Sequence, residues 1–214
     1  MRNGHYLIFI LVFFMACRPD KINSEKEYYQ WLNDKNNQLF VAKSIKGIKL
    51  SVKYLPPEYL TYNELKENPS RQYTIDSLLT IYQKNRTFLL TFAPEDNKAQ
   101  EPQPDVMYDN ITNNEEYLKR FQDLTFNMGQ YIQLKTDSNT YTPVLHTFEN
   151  TYGLSPYRSI YLVFGEKGIK NDDLLSSNKL ELVFDDLIFS TGISYFSFKK
   201  NKIDHIPHIN FWKR

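Results

Sequence analysis

The chain has 214 residues, a formal net charge of +1 and one cysteine. A single cysteine excludes an internal disulfide and a zinc site built from cysteines, and the near-zero charge argues against a nucleic-acid partner. Apolar residues make up 41% of the chain, with 16 Tyr and 15 Phe, so it can bury a core and is not disordered as a whole. The length predicts one domain, or at most two small ones.

The N-terminal segment has the pattern of a signal peptide. Residues 6–16 read YLIFILVFFMA and carry no charge, and Arg2 precedes them. As a helix these residues would extend about 16 Å, which is too short for a bilayer core of about 30 Å. A basic start, a short apolar stretch and a small residue at the end are typical of a secretory signal.

The sequence FMAC at residues 14–17 resembles the lipobox of bacterial lipoproteins. The resemblance implies cleavage between Ala16 and Cys17, with acyl chains on Cys17, so residues 1–16 would be the signal peptide and 17–23 a lipidated tether. Two or more acyl chains are enough for stable membrane anchoring. A plain secretory signal with an incidental cysteine, or an uncleaved N-terminal anchor, are the alternatives.

The formal charge of the mature chain is consistent with anchoring by lipid rather than by basic residues. Arg2 is the only charged residue within 1–16, so the mature chain would carry 25 basic and 25 acidic residues and be formally neutral. Residue 18 is Arg, whereas enterobacterial lipoproteins retained in the inner membrane carry Asp there. This favours the outer membrane. Residues 18–24 lack the acidic run that resembles a surface-export signal in some Bacteroidota, so we expect the periplasmic face.

The first half of the chain combines helical and strand patterns. Ser24 and Glu27 match a capping box, and Pro57 suits the first position of a helix. Alternation of apolar and polar residues over 48–54 predicts a half-buried strand. In chain order, the patterns further predict helices over about 25–36, 57–66 and 75–83, a strand over 87–92, a surface loop over 94–105 and a helix that starts near 113.

The second half is rich in strands. A hairpin is predicted between 131–134 and 141–148, around the polar residues 137–139, and further strands are predicted over 159–164, 180–184 and 193–198. Short strands bounded by turns are typical of an antiparallel sheet or sandwich. We therefore predict a β-rich α+β fold, mostly antiparallel sheet or sandwich with a few short helices, in one domain over 24–214.

Two segments, 141–164 and 184–192, resemble uncharacterised envelope lipoproteins of Bacteroidota. The second of them reads FDDLIFSTG. The resemblance implies a place in the cell envelope and carries no known activity.

Candidate metal ligands are few. His205 and His208 could bind zinc or copper, but residues three apart on an extended segment point to opposite faces, and Pro207 opposes a helix. Asp185 and Asp186, with Asp172, Asp173 and Glu181, could supply oxygen ligands for calcium, although their spacing is not that of an EF-hand and paired acids are common in turns. We expect no metal at either place.

Signatures of catalysis are weak. Asp105 and Asp109 could act as a general acid and a general base, or they could be ordinary acidic residues of a loop. The sequence has no G-x-S-x-G, P-loop, H-E-x-x-H or G-x-G-x-x-G pattern. Phe211 and Trp212 are candidates for stacking on a glycan. No enzymatic activity and no cofactor are therefore predicted.

These patterns together predict a non-enzymatic lipoprotein of the outer membrane. It would act as a structural or protein-interaction component of an envelope assembly, with the membrane and other envelope proteins as partners. The alternative is a lipoprotein that binds a glycan or a peptide, and a hydrolase is the weaker alternative.

Overall fold

The computed structural model describes residues 20–69, 72–95, 104–151, 153–165 and 173–212. The predicted signal peptide, its cleavage site and Cys17 lie outside these ranges. Within the ranges, every helix is too short or too polar to cross a membrane.

The described elements follow one another in a simple order. They are β1 (Lys21–Ile22), α1 (Glu25–Asn33), β2 (Phe40–Ile45), β3 (Ile48–Leu55), α2 (Pro57–Glu67), α3 (Ile75–Gln83), β4 (Arg86–Pro94), α4 (Asn114–Gln122), α5 (Met128–Tyr131), β5 (Ile132–Lys135), β6 (Thr140–Tyr141), β7 (Leu145–Glu149), β8 (Arg158–Phe164), β9 (Lys179–Asp186), β10 (Gly192–Lys199), α6 (Lys200–Ile203) and β11 (His208–Ile209). A π-helical turn, Asp123–Asn127, joins α4 to α5.

Two antiparallel sheets pack face to face. One has the strand order β2-β3-β4-β8-β7 and the other β10-β9-β5-β6. Phe88 and Phe92 of β4 contact Phe198 and Phe184 of the opposite sheet, with ring centroids 5.1 and 5.6 Å apart, and all four rings are buried. The predicted β-rich α+β fold, with mostly antiparallel sheet and a few short helices, is confirmed.

Strand β2 is not predicted by any pattern in the sequence. It pairs with β3 through a two-residue turn in which Lys46 and Gly47 have positive φ angles of 52° and 81°. Such a turn suits the twist of a hairpin, and glycine adopts its second position without strain. Because β2 lies at the edge of its sheet and is not fully buried, its apolar pattern is weak.

The predicted hairpin over 131–148 is wrong in its second strand. Strand β5 pairs with β6 through Leu134 and Tyr141, as expected. The following segment, β7, leaves this sheet and pairs with β8 in the other one. Alternation of side chains indicates a strand but does not specify which sheet the strand joins.

The first helix begins where predicted. The Ser24 hydroxyl accepts a hydrogen bond from the Glu27 backbone N–H at 3.3 Å. The helix ends at Asn33, because a 3₁₀ turn over Lys35–Asn37 follows instead of further α-helix. Tyr28 and Leu32 on this helix are buried in the core.

The two ends of the described chain lie side by side. Strand β1 pairs in parallel with β11, and the His208 N–H donates to the Asp20 carbonyl at 2.9 Å. Lys21 and Ile22 lie within the predicted tether, 17–23, but form a strand. This pairing brings the C-terminal segment against α1 and α2.

Candidate functional site

A pocket of about 250 Å³ lies where the paired ends of the chain meet the sandwich. It is bounded by α1, the end of β3, the start of α2, α3, the start of β4 and the segment between α6 and β11. Its polar lining includes Tyr28, Tyr54, Glu58, Arg86, Asp204 and His208. We call it the Arg86 pocket.

Two tyrosine hydroxyls belong to this lining. The Tyr28 side chain is only 1% exposed, and its Oη has no hydrogen-bond partner among the described residues. Burial, and then the nearby Glu58 carboxylate, hold the pKa of Tyr28 far above its usual range. Burial also raises the pKa of Tyr54, whose Oη accepts from Arg86 Nη1 at 3.3 Å. Both hydroxyls therefore keep their protons and can donate.

The Arg86 guanidinium is only partly satisfied. Its Nη2 donates to the Leu175 carbonyl at 2.9 Å, while its Nε is buried without a partner among the described residues. Within the described chain no carboxylate forms an ion pair with Arg86, and Asp204 pairs with Lys200 instead. The pocket lining thus contains a cation, although its Nε has almost no surface open to the pocket.

Glu58 and His208 form a pair at the pocket mouth. Glu58 Oε1 is 2.6 Å from His208 Nδ1, and Oε2 accepts from the Ile209 N–H at 2.7 Å. The His208 side chain is 71% exposed, and its Nδ1 contact with Glu58 orients the imidazole ring. A carboxylate can orient a histidine base in this way. Among the described residues, no Ser, Thr or Cys lines the pocket.

The two histidines singled out by sequence do not converge. His205 Nδ1 lies 2.6 Å from the Asn201 carbonyl, one turn back, whereas His208 faces Glu58. Across the described ranges, no three His, Cys, Asp or Glu side chains are placed together to hold a metal.

Asp185 and Asp186 point in opposite directions at the end of β9. Asp185 is exposed, and Asp186 is fully buried. The Asp186 carboxylate accepts from the N–H groups of Ile188, Phe189 and Thr191 and from the Thr191 hydroxyl. The oxygen atoms that could have bound calcium are therefore already bonded to the turn that follows β9.

The other acids considered for calcium serve local structure. Asp173 accepts from the Thr136 hydroxyl at 2.6 Å and from Asn139 Nδ2 at 2.8 Å. Although burial opposes it, these bonds hold the pKa of Asp173 below its usual range. Glu181 pairs with Lys179. Asp172 lies outside the described residues.

Asp105 and Asp109 do not form an acid–base pair. Asp105 is ion-paired with Arg158, which is only 3% exposed, and it also accepts from the Met107 N–H at 2.9 Å. Asp109 accepts from the neighbouring Asn110 amide at 2.9 Å. Each carboxylate therefore has its own structural partner.

Phe211 and Trp212 pack within the molecule. Their rings lie 4.9 and 6.2 Å from the ring of Tyr62, and both side chains are partly buried against the core. The aromatic surface expected for glycan stacking is thus used, at least in part, to attach the C-terminal segment to α2.

A second concave surface lies between the α2–α3 pair and the outer face of the five-stranded sheet. This groove, of about 480 Å³, is lined by Tyr59, Tyr161 and Leu145, with Glu67 and Glu149 close by. Burial, followed by the charge of Glu67, raises the pKa of Glu149. Burial, followed by Glu149, raises the pKa of Tyr161 to about 12. We call it the acidic groove.

Comparison with known proteins finds little. No protein-family model matches the chain, and no curated protein matches it. The crystal structure of a novel protein of unknown function from Burkholderia pseudomallei is similar over 85% of this chain and 88% of that one, with 10% identity and a TM-score of 0.38. A likeness of this degree carries no argument about function.

Proposed function

We propose that the protein is a non-enzymatic lipoprotein of the outer membrane that faces the periplasm and contacts other envelope proteins. The observation that carries the anchor is the position of the only cysteine, Cys17, directly after the uncharged residues 6–16. The described structure begins at Asp20, and three extended residues reach at most about 11 Å. With Cys17 acylated, the paired strands β1 and β11 would lie close to the membrane.

The acidic groove supports a role in protein contact. Its lining combines aromatic and aliphatic side chains with acids, and none of the described residues that line it is Lys or Arg. Leu145 is 58% exposed there, so apolar surface is available. Interfaces join an apolar centre to complementary charge, and the groove therefore suits a basic, apolar segment of an envelope protein.

The Arg86 pocket favours a second candidate function, the binding of a small ligand or a peptide end. Its lining combines the Arg86 cation with the Glu58–His208 pair, polar groups of the kind that orient a bound ligand. Both functions are compatible with the same lipid anchor.

Replacing Cys17 by Ala is expected to abolish lipidation. The wild-type chain should incorporate an alkyne fatty acid and fractionate with the outer membrane, whereas the Cys17→Ala variant should carry no label and leave that fraction. Globomycin should accumulate the uncleaved precursor. Arg18→Ala, which keeps the cysteine, is the matched control for lipid labelling. A wild-type chain that fractionates with membranes but takes up no lipid label would disprove the anchor.

Reversing the charge of the acidic groove is expected to lower the yield of crosslinked partner by about tenfold. Two contacts that attract a basic partner would then repel it. The measurement is photo-crosslinking in cells from a probe at Tyr161, in the wild-type background and with Glu67→Lys and Glu149→Lys combined. Asp185→Lys, an exposed acid outside the groove, is the charge-matched control. Equal crosslinking in all three proteins would exclude the groove as the contact surface.

A further inference from the structure

We infer that a partner protein adds one extended strand to the free edge of β10. The added segment has apolar residues at alternate positions and a carboxylate that faces Lys43. This contact goes beyond the one proposed for the acidic groove, because it uses a different surface, and it does not depend on the lipid anchor. It rests on a row of open backbone groups and a stretch of half-buried side chains that the fold places side by side.

The backbone of β10 is open on one side. Among the described strands β10 pairs only with β9, at the end of the four-stranded sheet. The Lys200 N–H donates to the Asn178 carbonyl at 2.9 Å, one position beyond the last pair of the β9–β10 register. Directly opposite residues of an antiparallel pair are hydrogen-bonded at every second position. Residues of even number in β10 therefore bond to β9, and the N–H and C=O groups of Ile193, Tyr195 and Ser197 point away from it.

This edge lacks the features that protect an edge strand. Proteins usually make such strands short, place charges or proline in them, or cover them. Strand β6, at the other end of the same sheet, has two residues, whereas β10 has eight. Residues 192–198 read GISYFSF, without charge or proline, and their register with β9 is unbroken. Ile193 and Tyr195 are 57% and 47% exposed. An edge of this kind is a template for a further strand.

The inner face of β2 lies beside this edge and is only partly covered. Val41, Lys43 and Ile45 are paired with residues of β3 that are buried in the sandwich, yet they are themselves only half-buried. Lys43 Nζ lies 5.3 Å from the centre of the Phe196 ring in β10, so β2 faces the end of the opposite sheet. That sheet has four strands, and the sheet of β2 has five. One added strand would cover the half-buried side chains of β2.

These side chains define the chemistry of the added strand. Val41 and Ile45 favour apolar side chains on its inward face, because burial of apolar surface is favourable. Between them, Lys43 has no carboxylate partner among the described residues. A carboxylate on the added strand would pair with this ammonium group, whereas a lysine there would be repelled. Backbone bonds to the edge supply affinity, and the side-chain contacts supply specificity.

The test measures, by fluorescence anisotropy, the binding of labelled peptides as long as β10 to the full-length protein in a mild detergent. The first peptide alternates threonine with valine and has glutamate in place of one central valine. The second has lysine at that place, and the third has the residues of the first in an order without alternation. We expect the first to bind saturably, the second about tenfold more weakly and the third not at all. No saturable binding of the first peptide up to about 1 mM, or equal binding of all three, would overturn the inference.

Tyr195→Pro tests the backbone edge. It removes an N–H that points away from β9, and proline is tolerated at such a position of an edge strand. Binding of the first peptide should therefore fall by about tenfold, while the circular dichroism spectrum of the free protein stays that of the wild type. Tyr195→Thr, which keeps the N–H, is the matched control and should bind within about threefold of the wild type. Equal binding by the two variants, both folded, would contradict the inference.

Lys43→Met tests the charge and leaves β10 unchanged, so it decides the question even where Tyr195→Pro does not fold. It should remove the preference for the glutamate peptide over the lysine peptide. Lys84→Met, at an exposed lysine after α3, should keep that preference. A preference that survives in Lys43→Met would mean that the peptide binds elsewhere, and the inference would be wrong. None of these variants alters Cys17 or the acidic groove, so failure here leaves the tests of the anchor and of the groove unaffected.

Discussion

Replacing Asp186 by Ala is expected to lower the free energy of unfolding by about 3–5 kcal/mol, because each buried group left without its partner costs about 1–3 kcal/mol. The carboxylate accepts from three backbone N–H groups of the turn after β9 and from the Thr191 hydroxyl. The turn also carries Phe189, whose ring lies 4.9 Å from that of Phe92 in the core and 4.6 Å from the Arg120 guanidinium. Loss of the carboxylate should therefore loosen both the turn and this contact.

Urea denaturation of the purified variants measures the effect. Asp185→Ala is the matched control, because its exposed side chain is expected to change stability by no more than about 0.5 kcal/mol. Added calcium should leave the wild-type midpoint unchanged if Asp186 serves only the turn. Similar small losses for both variants, or a calcium-dependent rise that Asp186→Ala removes, would contradict this role.

Arg158→Met is expected to cost about 3–5 kcal/mol, because it leaves the partly buried Asp105 carboxylate without its counter-ion. The guanidinium also donates to the carbonyls of Ser155 and Tyr157 at 2.6 and 2.8 Å. The adjacent Val106 N–H bonds to the Pro156 carbonyl at 2.9 Å, so the ion pair joins two loops that are distant in sequence. Its loss should weaken the attachment of both loops.

A double variant isolates the ion pair from packing. Arg158→Met combined with Asp105→Leu should recover part of the loss, since apolar replacement of a whole buried pair is often neutral. Lys66→Met breaks the exposed pair with Glu25 and should cost much less, because water and salt screen exposed charges. If Arg158→Met costs no more than Lys66→Met, the buried pair contributes little and the expectation is wrong.

The elements predicted correctly from the sequence are those that depend on residues a few positions away. Strand β3 follows from strict alternation, because one of its faces is buried in the sandwich. Ser24 and Asn113 are the N-cap residues of helices α1 and α4. Their side chains accept hydrogen bonds from the backbone N–H groups of residues three positions later. Such signals depend on neighbours within a few residues and can be read without the fold.

The elements that sequence missed depend on distant partners. The exposed edge strand β2 has little alternation, and β7 has a strand pattern that does not reveal its sheet. The spacing of His208 from His205 suggests a pair of metal ligands, yet the partner of His208 is Glu58, 150 positions earlier. No pattern within a short window connects two such residues.

By itself, the sequence determined the β-rich α+β class and most strand and helix positions. It also predicts a lipid anchor, because its one cysteine directly follows an uncharged segment. The tertiary structure alone decided which strands share a sheet and where a pocket forms. In the Arg86 pocket, for example, Tyr28, Arg86 and His208 line one cavity although they are far apart in sequence, and the pairing of β1 with β11 holds His208 in place. Short-range patterns reflect burial and capping, whereas a site of this kind arises from long-range pairing that no local segment encodes.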